Sequence, residues 1–432
     1  MNENFLKGII CIQNVGNSGT LFLQSLFDSH PELLVLPALY TREIYNFWDN
    51  CNKQYSNKKI AEQFVEDPCQ AYWFDSDERF RVIIDQNLNR MGDKENENLE
   101  IDKQKFLKNL IDELNKKKLS RRHFFLSVHF AFAKTAKLNY VKKFYIVFPF
   151  HTNPLKIAKY IEEDFSNIVF IHMVREPIKN LNSGQIHSMI NHGRNTQISK
   201  WVFCDDQTCE IISGKHVKSV SVRLEDIHEN PQEILNKVCD FLEIQWDKCL
   251  LNSTMLGKKW WNRPYSKKIS GFDSNLHKKS SINTLTSFDI FRLEFLFYSW
   301  KKKWEYKTHK YVENNKIYFL IQYILIWIPL KIEFYPTKVY GPTDGYYIQS
   351  IFSPFKNNEI FLKEISIKYI NIQRANKIFI YLLKTFFSLY IFITGLKNFI
   401  FSYLTIRYNY IKFLNLQKNN KNFYKKYLNI LK

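Results

Sequence analysis

The stretch "GIICIQNVGNSGTLFLQSLF", residues 8–27, decides how the rest of the chain is read. Gly8 to Gln13 is a short apolar run of the kind buried in a parallel sheet. Gly16 and Gly19 then flank small polar residues, and from Thr20 the apolar positions Leu21, Leu23, Leu26 and Phe27 fall at helical spacing. Strand, glycine turn and helix start, in that order, make a phosphate-binding loop, because successive backbone N–H groups at a helix N-terminus form a nest for an anion. Gly16, Asn17, Ser18, Gly19, Thr20 and Leu21 are its candidate ligands. The glycines permit close approach, and Ser18 and Thr20 add hydroxyl donors. A loop for Mg-NTP would read GxxxxGK followed by Ser or Thr; the lysine is missing here, so nucleotide kinase chemistry is not expected.

Outward from the loop, His30-Pro31 ends the helix and "LLVLP" (33–37) reads as a second buried strand. "KFYIVFPF" (143–150), "NIVFIHMV" (167–174) and "VKSVSVRL" (217–224) supply three more, separated by helical patterns at 154–164, after Pro177 and at 231–243. This alternation predicts an α/β fold: a P-loop-like open parallel sheet flanked by helices. Residues from about 50 to 140 are charged, aromatic and helix-favouring, and predict a helical insertion that caps the sheet. The expected organisation is one α/β domain over 1–305 and a helical C-terminal extension over 306–432.

The formal net charge is +20, and it is unevenly placed. No Asp or Glu follows Glu364, whereas twelve Lys and Arg do, among many Phe, Tyr, Ile and Leu. "IYFLIQYILIWIPL" (317–330) is short for a bilayer span, and "IFIYLLKTFFSLYIFITGL" (378–396) is interrupted by Lys384. Intermingled aromatics and lysines fit a helix lying on an anionic membrane surface, with a spanning helix and a buried core helix as alternatives. No recognition helix or RNA-binding motif points to nucleic acid as a partner. The seven scattered cysteines (11, 51, 69, 204, 209, 239, 249) suggest reduced thiols. Cys204 and Cys209 lack a second ligand pair, so no metal is expected. The N-terminus has too few apolar residues for a signal peptide. The expected location is cytoplasmic, peripheral to the inner face of the membrane.

"FIHMVREPIKNLNS" (170–183) adds a second anion-binding pattern. Arg175 follows a buried strand, where open α/β sheets bind ligands, and Ser183 lies eight residues on. A guanidinium fork and a hydroxyl can clamp a second phosphate. The bland alternative is an Arg175 paired with a nearby carboxylate and an idle Ser183.

Together these segments resemble the sulfotransferases. "NVGNSGTLFLQSLFDSHPELLVLP" (14–37) is similar to their 5′-phosphosulfate loop. "FIHMVREPIKNLNS" is similar to their 3′-phosphate motif, with Arg175 and Ser183 in the ligand positions. "VRLEDIHENPQEILNKVCDFLEIQWD" (222–247) resembles the strand–helix that follows in bacterial members. The resemblance covers roughly residues 7–275 and is nearest to carbohydrate-type enzymes. It implies 3′-phosphoadenosine 5′-phosphosulfate as donor, no metal, and a glycan or lipid-linked saccharide acceptor. It also explains the missing Walker lysine, since no Mg-bound γ-phosphate is involved.

One departure stands out: the family usually places Arg or Lys where this chain has Asn17. That cation would offset charge on the bridging oxygen as the sulfuryl group leaves. Lys258 and Lys259, in "LGKKWWNRPYSKKISGFD" (256–273), are candidate replacements, and Trp260 and Trp261 are candidate adenine platforms. Where many carbohydrate sulfotransferases carry a glutamate base, this chain has His151, in "HTNP" (151–154), with His129 in "LSVHFAFAK" (126–134) as the rival. Arg223 to Asp226 reads as a strand–helix junction. The second functional class is an inactive nucleotide-binding or membrane scaffold that keeps the fold.

Overall fold

The computed structural model describes residues 3–14, 18–36, 41–67, 91–97, 101–138, 144–150, 154–183, 217–261, 270–275, 285–313, 317–328, 393, 397, 400, 403–404, 407–416 and 429–431. These divide into two compact units. The first comprises Met1–Arg175, Cys204–Ser281 and Asn420–Lys432, and the second Glu176–Phe203 and Ile282–Asn419. The units therefore interleave along the chain.

The first unit is built on a parallel sheet. Its strands are β1 (Leu6–Asn14), β2 (Leu33–Val35), β3 (Phe144–Phe150), β4 (Ile168–Val174), β5 (Val217–Arg223) and β6 (Asn429–Leu431). Their spatial order is β2-β3-β1-β4-β5-β6, and every pairing is parallel. The sheet with its flanking helices is the expected α/β fold, with all five expected strands present. Ile9, Ile10, Cys11 and Ile12 are fully buried on both faces of β1, which is why that strand is a continuous apolar run and does not alternate. Pro149 sits in β3 opposite Ile12, beyond the three residues that pair with β2, so its missing N–H costs no bond on that side. The sixth strand was not expected from the sequence.

Helix α1 (Thr20–Phe27) returns from β1. Helices α2 (Thr41–Asn50), α3 (Asn57–Glu66), α4 (Lys103–Leu114) and α5 (Arg121–Thr135) follow, whereas residues 91–97 form a turn closed by a Met91–Glu97 bridge. Ser56, Asp102 and Ser120 each cap a helix by accepting from the backbone N–H three residues on, each contributing about 1 kcal/mol. Phe47, Phe64 and Phe124 pack ring against ring at 5.1–5.5 Å, joining α2, α3 and α5. Helix α5 is buried all round from Phe124 to Ala133. Arg121 ties it to α6 (Pro154–Asp164) by a bidentate pair with Asp164 at 2.8 and 3.0 Å. After β5 come α7 (Leu224–Glu229) and α8 (Pro231–Leu242).

The second unit contains a helical segment over 177–183, α9 (Ser287–Leu296), α10 (Tyr298–Lys303), α11 (Lys310–Glu313), α12 (Tyr318–Leu325) and a helical segment over 407–416. Thr286 and Asp289 form a reciprocal capping box at the start of α9. Trp300 and Trp304 are buried, and Phe297 meets Phe413 at 5.6 Å. A buried cation, Lys301, holds Glu294 through both carboxylate oxygens at 2.9 Å and Glu176 at 3.3 Å. Glu176 also accepts from the Lys179 N–H at 2.7 Å, capping the 177–183 segment. Burial pushes the Glu176 carboxyl pKa up, and Lys301 opposes that shift. Among the described residues, no helix is long and apolar enough to cross a membrane. Most of the 378–396 stretch lies outside the described residues.

Candidate functional site

The strand register sets one rim of the sheet. Gln13 lies level with Phe150 on β3 and His172 on β4, Asn14 with Met173, and Val174 with Arg223 on β5. The segments that follow β1, β3, β4 and β5 therefore all leave from the same edge, and that carboxyl edge is where open α/β sheets bind ligands. The phosphate loop, His151, Arg175 and Leu224 are the first residues beyond it.

Within the loop, Ser18, Gly19, Thr20 and Leu21 are described, whereas Gly16 and Asn17 lie outside the described residues. Gly19 is the N-cap of α1 with φ 92° and ψ 20°, a left-handed conformation that L side chains rarely adopt. A Cβ at Gly19 would meet Leu224 Cδ1 at 2.5 Å, well inside van der Waals contact. The loop is thus seated against the start of α7. Ser18 and Thr20 are buried on either side of the glycine. The first N–H groups of α1 have no acceptors inside the helix and give the rim a cluster of donors. These residues fit a phosphate: they bring donors and no carboxylate of their own.

Arg175, half-buried, is the first residue after β4 and belongs to the first unit. Ser183 is helical, the last described residue of the segment over 177–183, and belongs to the second unit. His151 lies outside the described residues; the residue before it, Phe150, ends β3 at the rim. Arg223 also reaches the rim, but its guanidinium is engaged by Asp226 through two 2.7 Å bonds, which brace the junction of β5 and α7.

Lys258 is placed by the other end of α1 from Gly19. It sits on a short antiparallel hairpin, Thr254–Met255 with Lys258–Lys259, that is anchored to the far end of α1. Asp28, the C-cap of α1, accepts from Thr254 Oγ1 at 2.8 Å and from the Gly257 N–H at 2.9 Å. Helix α1 has eight residues and spans about 12 Å, so this anchor is remote from Gly19. The Lys258 ammonium pairs with Glu97 at 3.2 Å and that of Lys259 lies 3.7 Å from Asp93. Trp260 is buried in the core, and the Trp261 indole N–H donates to the Gly92 carbonyl at 2.7 Å. Both indoles serve the packing of this hairpin on residues 91–97.

His129 is enclosed by the core. Its Nδ1 bonds the Phe125 carbonyl at 2.8 Å and its ring lies 4.3 Å from the Phe125 ring. Burial lowers its pKa from 6.5 to about 4, partly countered by the bond to Phe125. A folded-state pKa below the unfolded one gives stability that is present above pH 6.5 and lost as pH falls through about 4. We expect His129→Leu to flatten the acid limb of the stability curve by on the order of 3 kcal/mol. Chemical denaturation between neutral and acid pH measures this, and an unchanged acid slope would refute the assignment.

Sequence reasoning missed Leu224, which closes on Gly19, and Asp28, which fixes the hairpin. Leu224 carried a usable signal as the first residue after a strand at the binding edge. Asp28 carried none, since its three donors lie at Ser29, Thr254 and Gly257. Among the described residues, no group of His, Cys, Asp or Glu could hold a metal ion. Cys204 and Cys209 lie outside the described residues.

No family model and no curated protein matches the chain. Among solved structures it is similar to the sulfotransferase domain from the curacin biosynthetic pathway, at 16% identity and a TM-score of 0.36 over 71% of this chain and 95% of that one. It is also similar to the sulfotransferase domain from the Synechococcus PCC 7002 olefin synthase, at 14% identity and a TM-score of 0.34 over 64% and 85%.

Proposed function

We propose that the chain is a sulfotransferase that moves the sulfuryl group of 3′-phosphoadenosine 5′-phosphosulfate to a hydroxyl of a glycan or lipid-linked saccharide. The observation that carries this reading is the left-handed Gly19 at the head of α1, directly beyond the central strand and flanked by Ser18 and Thr20. In this reading Gly16 to Leu21 hold the 5′-phosphate. Arg175, with Ser183, takes the 3′-phosphate. His151 accepts the proton of the acceptor hydroxyl as its oxygen bonds to sulfur and the bond from sulfur to the 5′-phosphate oxygen breaks. The imidazole is the preferred base because it follows the rim strand β3, whereas His129 is sealed in the core.

The ion pair of Lys258 with Glu97 at 3.2 Å favours a second reading, an inactive nucleotide-binding scaffold in which no cation takes the place left by Asn17. Transfer of labelled sulfate from the donor to a panel of saccharides separates the two. The enzyme reading expects turnover that falls by about 10²–10⁴ in His151→Ala with donor affinity retained. Donor binding without any turnover would establish the scaffold, and turnover that survives His151→Ala would remove that residue as base.

A further inference from the structure

Among its described residues, the second unit carries an exposed apolar face. Along and beyond α12, Ile317, Leu320, Ile324 and Trp327 follow one another at three- and four-residue steps with Ile328 beside the last, each 41–59% exposed. Ile393, Ile400, Leu404 and Tyr408 form a second row at helical spacing, 49–66% exposed, with the exposed Lys397 between them. In the helical segment over 407–416, Arg407, Tyr410, Phe413 and Leu414 are the buried side chains. The two rows meet where the Tyr403 hydroxyl donates to the Trp327 carbonyl at 2.6 Å and the two rings lie 6.5 Å apart. Single exposed apolar residues need no explanation; two adjacent rows at helical period mark an interaction surface.

Charge decides what that surface meets. The unit's acidic residues Glu176, Asp289 and Glu294 are withdrawn into ion pairs with Lys301 and Arg292. Lys302, Lys307, Lys310, Lys397 and Lys412 are exposed in the same unit, against Glu305. Aliphatic rows with Trp327 and Tyr408, Lys397 within one row and an exposed lysine excess in the same unit match the boundary between acyl chains and anionic headgroups. We propose that this face docks the protein on an anionic lipid bilayer, with the two apolar rows entering the headgroup boundary and the lysines meeting the lipid charge. The proposal is independent of the donor site.

Truncation near residue 310 would also remove β6 from the first unit, so point substitutions are the cleaner probe. The full chain is sedimented with phosphatidylcholine vesicles and with vesicles in which a quarter of the lipid is phosphatidylglycerol. We expect binding to the anionic vesicles that weakens with salt, and at least a tenfold loss of partitioning in the Leu320→Asp/Leu404→Asp variant with an unchanged thermal midpoint. Should that variant unfold, quenching of the unaltered chain by brominated lipid, lost in Trp327→Phe, gives the same information. A chain that stays in the supernatant, a variant that partitions like the parent, or quenching indifferent to Trp327 would each overturn the proposal. So would a dimer that the same substitutions disperse while no vesicles are bound, because the face would then belong to a second copy.

Discussion

Replacing Arg175 by alanine is expected to weaken binding of 3′-phosphoadenosine 5′-phosphate about 100-fold, corresponding to roughly 2.7 kcal/mol. The guanidinium is the first side chain beyond β4, half-buried at the carboxyl edge of the sheet. A charged fork on a phosphate in that setting makes paired, charge-assisted bonds that a methyl cannot replace. Arg175→Lys should fall between the two, since lysine keeps the charge and loses the fork. Titration calorimetry with the bisphosphate and with adenosine 5′-monophosphate checks the origin of the loss. The difference between the two ligands should shrink in Arg175→Ala. A variant that binds the bisphosphate as tightly as the parent would dismiss the 3′-phosphate assignment.

The second large effect is expected at Gly19. An alanine there must adopt φ near 92°, which costs about 1–2 kcal/mol for an L residue. Its methyl would also press on Leu224, adding roughly 1–3 kcal/mol of overpacking. The sum is about 2–5 kcal/mol of stability, together with a loosened loop that binds the nucleotide less tightly. Trimming Leu224 to alanine makes room for the new methyl but leaves the backbone strain. The double variant should therefore lose less than the two single variants combined, by more than about 0.5 kcal/mol in a double-mutant cycle. Simple additivity would mean that the loop and α7 do not touch as described.

Much of this fold is legible in the amino-acid sequence. The strands announced themselves because a sheet covered on both faces demands apolar runs, and "IICI", "FYIVF" and "IVFI" are such runs. The loop and α1 were legible because glycine spacing and helical periodicity are local properties. Arg175 was legible for a similar reason, through its place directly after a strand. What stayed hidden depends on residues far apart in sequence. Nothing near Lys258 reveals that Asp28 holds its hairpin, or that Glu97 takes its charge. Nothing near Gly19 reveals Leu224, some 200 residues away. His129 looked available beside its aromatics, and only the packing of α5 shows that those aromatics enclose it. The three-residue β6 is too short to carry a periodicity of its own. Gly16, Asn17 and His151 lie outside the described residues, so their roles rest on the sequence and on the rim from which they leave.

That last strand gives the molecule a timetable. The β5 partners of Asn429, Ile430 and Leu431 are Val220, Ser221 and Val222, so the ribosome must add some 200 residues before the ladder can close. At ordinary rates of synthesis this takes on the order of 10–40 s, long compared with the folding of a small domain. Throughout that interval the nascent first unit presents a bare strand edge while the chain for most of the second unit is being made. A nascent edge of Val, Ser and Val is a template for other strands. The yield of soluble protein should therefore respond to translation speed and chaperone supply more than the stability of the finished fold alone would suggest.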